Sequence, residues 1–229
     1  MCVSPIEITR KYGSLVRKTL VPCGVCVECV RKNQNAYVVR TLLEVQKRGG
    51  PMWFFTLTYS NEHLPYLPDL ETGELYPSLR RSDVKKMFHD IRQIGTRSGK
   101  SLPSFGWLYC GEYGPRTHRP HYHGCFIGLP DKFVYQFKDY WEKHYGFSDF
   151  KNVPLIDSNG KDNVGFVARY IAKYISKPKE FELEIVNRGL VEKPRKVTSI
   201  DFGFPNDDKF KKYHLSGLES LEYNSGVPP

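Results

Sequence analysis

The spacing of apolar and polar positions predicts three amphipathic helices, over residues 27–48, 82–95 and 130–145. In the second helix, four apolar side chains follow the i, i+3, i+4, i+7 spacing that places them on one helix face, and Ser82 precedes them as the N-cap. These four residues are Val84, Met87, Phe88 and Ile91. Each helix is therefore expected to bury one face against a partner.

Short runs of aromatic and β-branched residues predict strands over residues 53–59, 105–110, 121–127 and 151–156. Side chains alternate between the two faces of a strand. His121 and His123 therefore point to one face of the third predicted strand, while Tyr122 and Gly124 point to the other. Two imidazoles side by side suggest a metal site.

A carboxylate can reach these imidazoles through a hairpin. The apolar run that ends at Glu112 is followed by a turn-rich segment containing Gly114 and Pro115, and then by the histidine strand. A hairpin across this turn would bring Glu112 beside His121 and His123. Two imidazoles and one carboxylate form a mixed nitrogen and oxygen site that suits Mn²⁺, Mg²⁺ or Zn²⁺.

A second predicted metal site lies near the N-terminus, where three of the six cysteines share a short run and a fourth lies upstream. The four are Cys23, Cys26, Cys29 and Cys2. In a cytosolic chain this spacing favours metal over disulfides, and it predicts a structural Zn²⁺ site with Cys2 as the fourth ligand. An iron–sulfur cluster is the alternative. Cys110 and Cys125 lie within predicted strands and are expected to be packed, reduced and inert.

A further helix is predicted over residues 163–177, where the pattern Tyr-x-x-Lys occurs twice. The first copy is Tyr170 with Lys173, and the second is Tyr174 with Lys177. Because the two tyrosines are one helical turn apart, they share a face. One such pair is compatible with a core tyrosine beside a solvated lysine, whereas two in register favour a functional role.

Composition favours a globular protein with a polyanionic partner. The 229 residues carry a net charge of +9, and Lys and Arg placed along phosphates supply affinity that does not depend on sequence. The 15 Tyr and 14 Phe can provide the stacking surfaces that single-strand binders use. No apolar run is long enough to span a bilayer and no secretory signal is visible, so a cytoplasmic location is expected.

Together these residues suit phosphodiester transfer to a tyrosine. That reaction needs a phenolate nucleophile, a Lewis acid at the scissile phosphate and basic surroundings for the DNA. Because the ordinary pKa of tyrosine is about 10, the phenol needs a nearby cation. Lys173 and Lys177 can provide this cation or hold the phosphate. The products would be a 5′-phosphotyrosine and a free 3′-hydroxyl.

Three motifs of the chain resemble those of HUH endonucleases that initiate rolling-circle replication. They are Phe55-Thr56-Leu57-Thr58, Arg119-Pro120-His121-Tyr122-His123 and Tyr170-Ile171-Ala172-Lys173-Tyr174-Ile175-Ser176-Lys177. The resemblance covers roughly residues 22–178. It is closest to the replication initiators of gokushovirus-like microviruses, which are small single-stranded DNA bacteriophages, and it includes the Pro-Cys-Gly-x-Cys-x-x-Cys start and the Gly-Glu-Tyr-Gly run before the histidines.

The resemblance implies an α+β fold in which helices flank a central five-stranded antiparallel sheet, the RRM-like core of HUH endonucleases. It implies Mg²⁺ or Mn²⁺ at Glu112, His121 and His123, and nicking of single-stranded or supercoiled origin DNA. We favour Tyr170 as the attacking residue, with Tyr174 as its partner. A host helicase and polymerase are further expected partners, in the host bacterial cytoplasm and away from membranes.

Three domains are expected. They are an N-terminal cysteine-rich zinc element over residues 1–30, the HUH endonuclease domain over residues 31–180, and a C-terminal extension over residues 181–229 that packs on the core. Two other functions remain open at this point. The protein could be a zinc-stabilised DNA-binding protein without catalysis, in which the histidine pair is structural, or a metal-dependent hydrolase in which the histidines activate water.

Overall fold

The computed structural model describes residues 2–156, 159–160, 163, 165, 168–170, 185–186 and 188–204. The helices are α1 (Val27–Arg48), α2 (Arg81–Arg97) and α3 (Asp131–His144). The strands are β1 (Ile6–Tyr12), β2 (Leu15–Val21), β3 (Met52–Tyr59), β4 (Tyr66–Pro68), β5 (Leu75–Pro77), β6 (Gly106–Tyr113), β7 (Pro120–Ile127), β8 (Gly146–Val153) and β9 (Lys196–Thr198). The fold is therefore α+β, as the sequence predicts.

Five strands form the central sheet in the order β8-β3-β7-β6-β9, and every neighbouring pair is antiparallel. The expected five-stranded antiparallel sheet is thus confirmed. The fifth strand, β9, comes from the segment that the sequence suggests is an extension beyond residue 180. It consists of only three residues, so its hydrophobic pattern is too short to predict a strand.

The two faces of the sheet bury different cores. On one face, helices α2 and α3 cover a large aromatic core that includes Phe55, Tyr122, Phe126, Phe137 and Trp141. On the other face lies a smaller core, which consists of Met52, Phe54, Leu108, Cys110, Cys125, Ile127 and Phe202. Side chains of α1, including Tyr37 and Val45, pack on this smaller core.

The predicted N-cap of the second helix is wrong. Helix α2 begins at Arg81, and no side chain caps it from the N-cap position at Arg80. Instead, the carboxylate of Glu192 accepts hydrogen bonds from the Arg81 amide at 3.2 and 3.3 Å. A carboxylate at a helix N-terminus satisfies a free amide and opposes the positive end of the helix dipole. Because Glu192 is distant in sequence, local spacing could not identify this cap.

Two further elements differ from the sequence-based expectations. The hairpin of β1 and β2 is not predicted by hydrophobic alternation, because nearly all of its residues are exposed. Strand β8 begins at Gly146 and ends at Val153, whereas the sequence predicts a strand over 151–156. Within the described ranges, none of the helices combines the length and apolar character needed to cross a membrane.

Gly124 allows the sheet to pack closely beside the histidine pair. It faces the aromatic core, and an added methyl group would clash with the Phe55 ring and lie 2.6 Å from the main-chain oxygen of Leu108. We predict that Gly124→Ala lowers the free energy of unfolding by about 1–3 kcal/mol, because overpacking displaces ring and backbone together. Urea denaturation measures this change.

Gly165→Ala is the matched control for this prediction. There the added methyl group would meet only the Arg169 guanidinium, at 3.6 Å, and residue 165 is helical, where alanine is favoured over glycine. Equal stability of Gly124→Ala and the wild-type protein would show that the sheet has room at this position.

Candidate metal centre and active site

The register of the central sheet brings the histidine pair and the carboxylate together. Glu112 of β6 lies directly opposite His121 of β7, and the neighbouring pair is Cys110 with His123. Directly opposed residues share a face in an antiparallel pair. The three predicted ligands therefore lie on the face that carries the smaller core.

The three side chains converge on one point. Glu112 Oε2 lies 3.7 Å from His121 Nε2 and 3.6 Å from His123 Nε2, and one ligand atom from each residue falls within 4.8 Å of the others. Each side chain is only 12–16% exposed. A carboxylate and two neutral imidazoles in such an arrangement could hold a divalent cation.

Hydrogen bonds fix the orientation of both imidazoles. His121 Nδ1 lies 3.0 Å from the main-chain oxygen of Arg119. Because a carbonyl oxygen can only accept, Nδ1 is the donor, and a neutral ring then presents a lone pair at Nε2. His123 Nδ1 lies 3.0 Å from Thr56 Oγ1, so its Nε2 also faces Glu112. Outer partners of this kind orient metal-binding histidines.

Arg119 is a positioning residue that the motif contains but that spacing alone does not explain. Its guanidinium donates a hydrogen bond of 2.7 Å to the Tyr59 oxygen and a second hydrogen bond to Asn61 Oδ1. These contacts tie the start of β7 to the end of β3. The carbonyl group of Arg119 is thereby held in place to accept from His121.

Tyr170 lies one aromatic ring away from the histidines. The Phe54 ring stacks on His123 at a centroid distance of 5.9 Å, and Tyr170 meets the same Phe54 ring edge-on at 5.4 Å. Tyr170 is helical and 41% exposed, so solvent and a substrate can reach its hydroxyl. Lys173, Tyr174 and Lys177 lie outside the residues that the structure describes.

Several other tyrosines lie in the aromatic core, across the sheet from the histidines. Burial raises the pKa of Tyr59 and Tyr122 far above the ordinary value, and it raises the pKa of Tyr109 to about 12. A buried phenol of this kind resists the ionisation that a nucleophile needs. Among these residues, Tyr170 alone combines the metal-site face with an exposed ring.

Lys196 is a further cation on the same face, and the sequence analysis did not identify it. It lies opposite Cys110, which in turn lies opposite His123, so the three residues form a row across the sheet. Its ammonium group lies 4.7 Å from the centroid of the Tyr37 ring. Burial lowers the pKa of Lys196. The β-branched pair that follows it was the available signal for a strand.

The four N-terminal cysteines also converge. Their sulfur atoms lie within 4.8 Å of one another, with 3.9 Å between Cys23 and Cys29 and 4.0 Å between Cys26 and Cys2. Four thiolates around zinc, each about 2.3 Å from the ion, would lie about 3.8 Å apart. The cluster could therefore hold a tetrahedral ion. Backbone hydrogen bonds from Val3 and Cys29 lower the pKa of Cys26 to about 6, which favours its thiolate.

Cys110 and Cys125 are buried within the sheet, 4% and 0% exposed, as the sequence predicts. Burial raises the pKa of the Cys125 thiol to about 12. A thiol with this pKa is protonated at neutral pH and reacts poorly.

Comparison with known proteins identifies the family. Residues 52–179 match the family model for the replication-associated protein ORF2, and this range holds all three strands of the metal centre together with Tyr170. The chain belongs to this family. No solved structure matches the chain.

Two phage proteins are similar to this replication-associated chain. Replication-associated protein ORF2 of Spiroplasma virus 4 is 36% identical over 110 residues, which are 48% of this chain and 32% of the phage protein. Replication-associated protein VP4 of Bdellovibrio phage phiMH2K is 28% identical over 205 residues, which are 76% of this chain and 58% of that protein. The chain therefore spans less than two thirds of the length of either relative.

We predict that Thr56→Val weakens Mn²⁺ binding by about 10–100-fold, because it removes the hydroxyl that orients His123. Isothermal titration calorimetry measures the affinity. Thr58→Val, two residues along the same strand and face, is the matched control and should bind Mn²⁺ as the wild type does. Equal losses in both variants would show that the hydroxyl of Thr56 has no special role.

Proposed function

We propose that this replication-associated protein is an HUH endonuclease that nicks single-stranded origin DNA and later rejoins it in rolling-circle replication. The observation that supports it best is the convergence of Glu112, His121 and His123 beside an exposed tyrosine. Membership of the replication-associated family supports a role at a replication origin.

The donor set fits a divalent cation of the Mg²⁺ or Mn²⁺ type. One carboxylate oxygen and two imidazole nitrogens would be its protein ligands, and both imidazoles are already oriented by Arg119 and Thr56. When bound, such an ion polarises a phosphoryl oxygen and offsets negative charge that develops on it. The low exposure of the three ligands keeps competing water away from this face.

In the proposed nicking step, the Tyr170 hydroxyl attacks the phosphorus atom of the scissile phosphate. The tyrosine loses its proton, an O–P bond forms, and the bond between phosphorus and the 3′-oxygen breaks. The leaving 3′-oxygen takes up a proton, so the products are a 5′-phosphotyrosine and a free 3′-hydroxyl. Because the number of phosphodiester bonds is unchanged, the 3′-hydroxyl can reverse the step and rejoin the strand.

Lysines and the second tyrosine complete the proposal. Lys173 and Lys177 follow their tyrosines by three residues, so on a helix either ammonium group can stabilise a phenolate or hold a phosphate. Tyr174 would cut again while Tyr170 retains the DNA end. Lys196 lies on the same face and is suited to contact a phosphate of the bound strand.

We also propose that Cys2, Cys23, Cys26 and Cys29 hold a structural Zn²⁺. All four ligands come from the protein, which is typical of structural rather than catalytic zinc sites. The sulfur separations of 3.9 and 4.0 Å support a tetrahedral ion.

We predict that the wild-type protein, incubated with Mn²⁺ and an origin-like single strand, forms a covalent adduct at the 5′ side of the nick. Tyr170→Phe should reduce the rate of adduct formation by about 100-fold or more, because phenylalanine has no nucleophilic oxygen. Combined with Tyr174→Phe, the adduct should be lost. A denaturing gel with DNA labelled at the 3′ end measures the adduct.

Tyr135→Phe is the matched control, since this tyrosine is also exposed but lies on α3, across the sheet. An adduct in the double tyrosine variant would show that another residue attacks. Cleavage that releases both ends free of protein would identify a hydrolase. Binding without any cleavage, unaffected by removal of the divalent metal, would identify a DNA-binding protein without catalysis.

For the cysteine cluster, we predict one tightly bound zinc per chain in the purified protein. Cys26→Ser should remove it, because a four-thiolate site loses a charged ligand, whereas Cys110→Ala should leave the zinc content unchanged. Inductively coupled plasma mass spectrometry measures the ratio. Iron with inorganic sulfide in place of zinc would support the alternative cluster.

A further inference from the structure

The hairpin of β1 and β2, which we term the arm (residues 6–21), is a two-stranded ribbon with little packing support. Its strands pair along their full length from Ile6 with Val21 to Tyr12 with Leu15. Nearly every residue is exposed, and each strand packs mainly on the other. An isolated hairpin is at best marginally stable in water, so such an exposed ribbon needs an anchor or a ligand.

The cysteine cluster provides the anchor. Cys2 precedes the arm and Cys23 follows it, and both join Cys26 and Cys29 at the start of α1. The amide of Cys23 also donates to Cys2 Sγ at 3.3 Å. The two ends of the arm are therefore fixed together on α1, and an ion at the cluster would hold the base of the ribbon rigid.

Helix α1 points the arm toward the end of the sheet that carries the metal centre. The last turn of α1, at Arg48, contacts Gly128, which directly follows β7. Eleven residues earlier, Tyr37 contacts Lys196, in the row that contains His123. The helix thus runs back along β7 toward the histidines. Cys29 lies about 12 Å further along the helix axis than Tyr37, which places the arm beyond this end of the sheet.

The charges of the arm are arranged for an anionic ligand. It contains four basic residues and one acid, Glu7. Lys18 is paired with Glu7 at 2.9 Å on one face. On the other face, Arg10 lies directly opposite Arg17, and both are exposed. Like charges directly opposed across two strands are destabilising, so this pair costs stability that a polyanion would restore.

We propose that the arm binds duplex DNA that flanks the nicking site, with Arg10 and Arg17 on its phosphates. This inference rests on the proposed function, which supplies DNA at the metal centre. A two-stranded ribbon fits the major groove, which is about 12 Å wide, and the seven-residue strands reach about 23 Å from their base. Single-strand binding needs a series of aromatic stacking surfaces, whereas Tyr12 at the tip is the arm's one aromatic residue.

The test compares the salt dependence of binding in two variants. One combines Arg10→Gln with Arg17→Gln, and the matched control combines Lys85→Gln with Arg97→Gln, two exposed cations of α2 on the far side of the sheet. Fluorescence anisotropy with a labelled duplex of about 30 base pairs, at about 50–300 mM KCl and without added divalent metal, gives the slope of log Kd against log salt concentration.

We predict that the arm variant has a slope smaller by about 2 than the wild type, because each phosphate contact contributes about one unit, and that it binds the duplex about tenfold more weakly. The control should match the wild type. Equal slopes for the arm variant and the wild type would overturn the proposal. The glutamines remove a repulsive pair from an exposed ribbon, so both variants are expected to fold.

Two other occupants are distinguished by further measurements. If the slope changes equally on a single strand of the same sequence, the arm follows single-stranded DNA, and the duplex assignment is wrong. If sedimentation shows a wild-type dimer that Tyr12→Ser with Leu15→Ser converts to a monomer, the arm pairs with a second copy, which also overturns the proposal. Nicking of a short single strand by the wild-type protein tests the proposed function separately, so the failure of either proposal can be recognised.

Discussion

The antiparallel pairing of β7 between β3 and β6 is the constraint on which the site depends. It sets His121 opposite Glu112 on one side and places Thr56 beside His123 on the other. A slip of one residue in either pairing would move these side chains to opposite faces of the sheet. Register therefore holds the ligands together and supplies the hydrogen bond that orients His123.

The division of the sheet into two faces allows a polar site to exist within a stable fold. Most of the apolar burial lies in the aromatic core under α2 and α3, where Phe126 and Trp141 are fully buried. The opposite face needs less apolar area, so it can carry charged and polar groups near one end. Gly124 links the two faces, because its missing side chain makes room for Phe55 directly behind the histidine strand.

Contacts between distant parts of the chain fix the helices around this sheet. Glu44 of α1 is fully buried, forms an ion pair with Arg48 and accepts a hydrogen bond of 2.8 Å from the Gly203 amide. A buried carboxylate needs such partners, since an unpaired charge is costly in a core. Glu192 likewise caps α2. Residues 188–204 thus hold both helices and supply β9, although their sequence shows no strong periodicity.

The sequence by itself determined the strands of the metal centre, the shared face of the two histidines, the bounds of α1 and the cysteine cluster, because these follow from local spacing and residue chemistry. It could not determine the cap from Glu192, the strand β9 with Lys196, or the packing of Phe54 against both His123 and Tyr170. Each of these joins residues that are far apart in the chain. Only the folded sheet, with its fixed register and packed helices, decides which distant side chains meet.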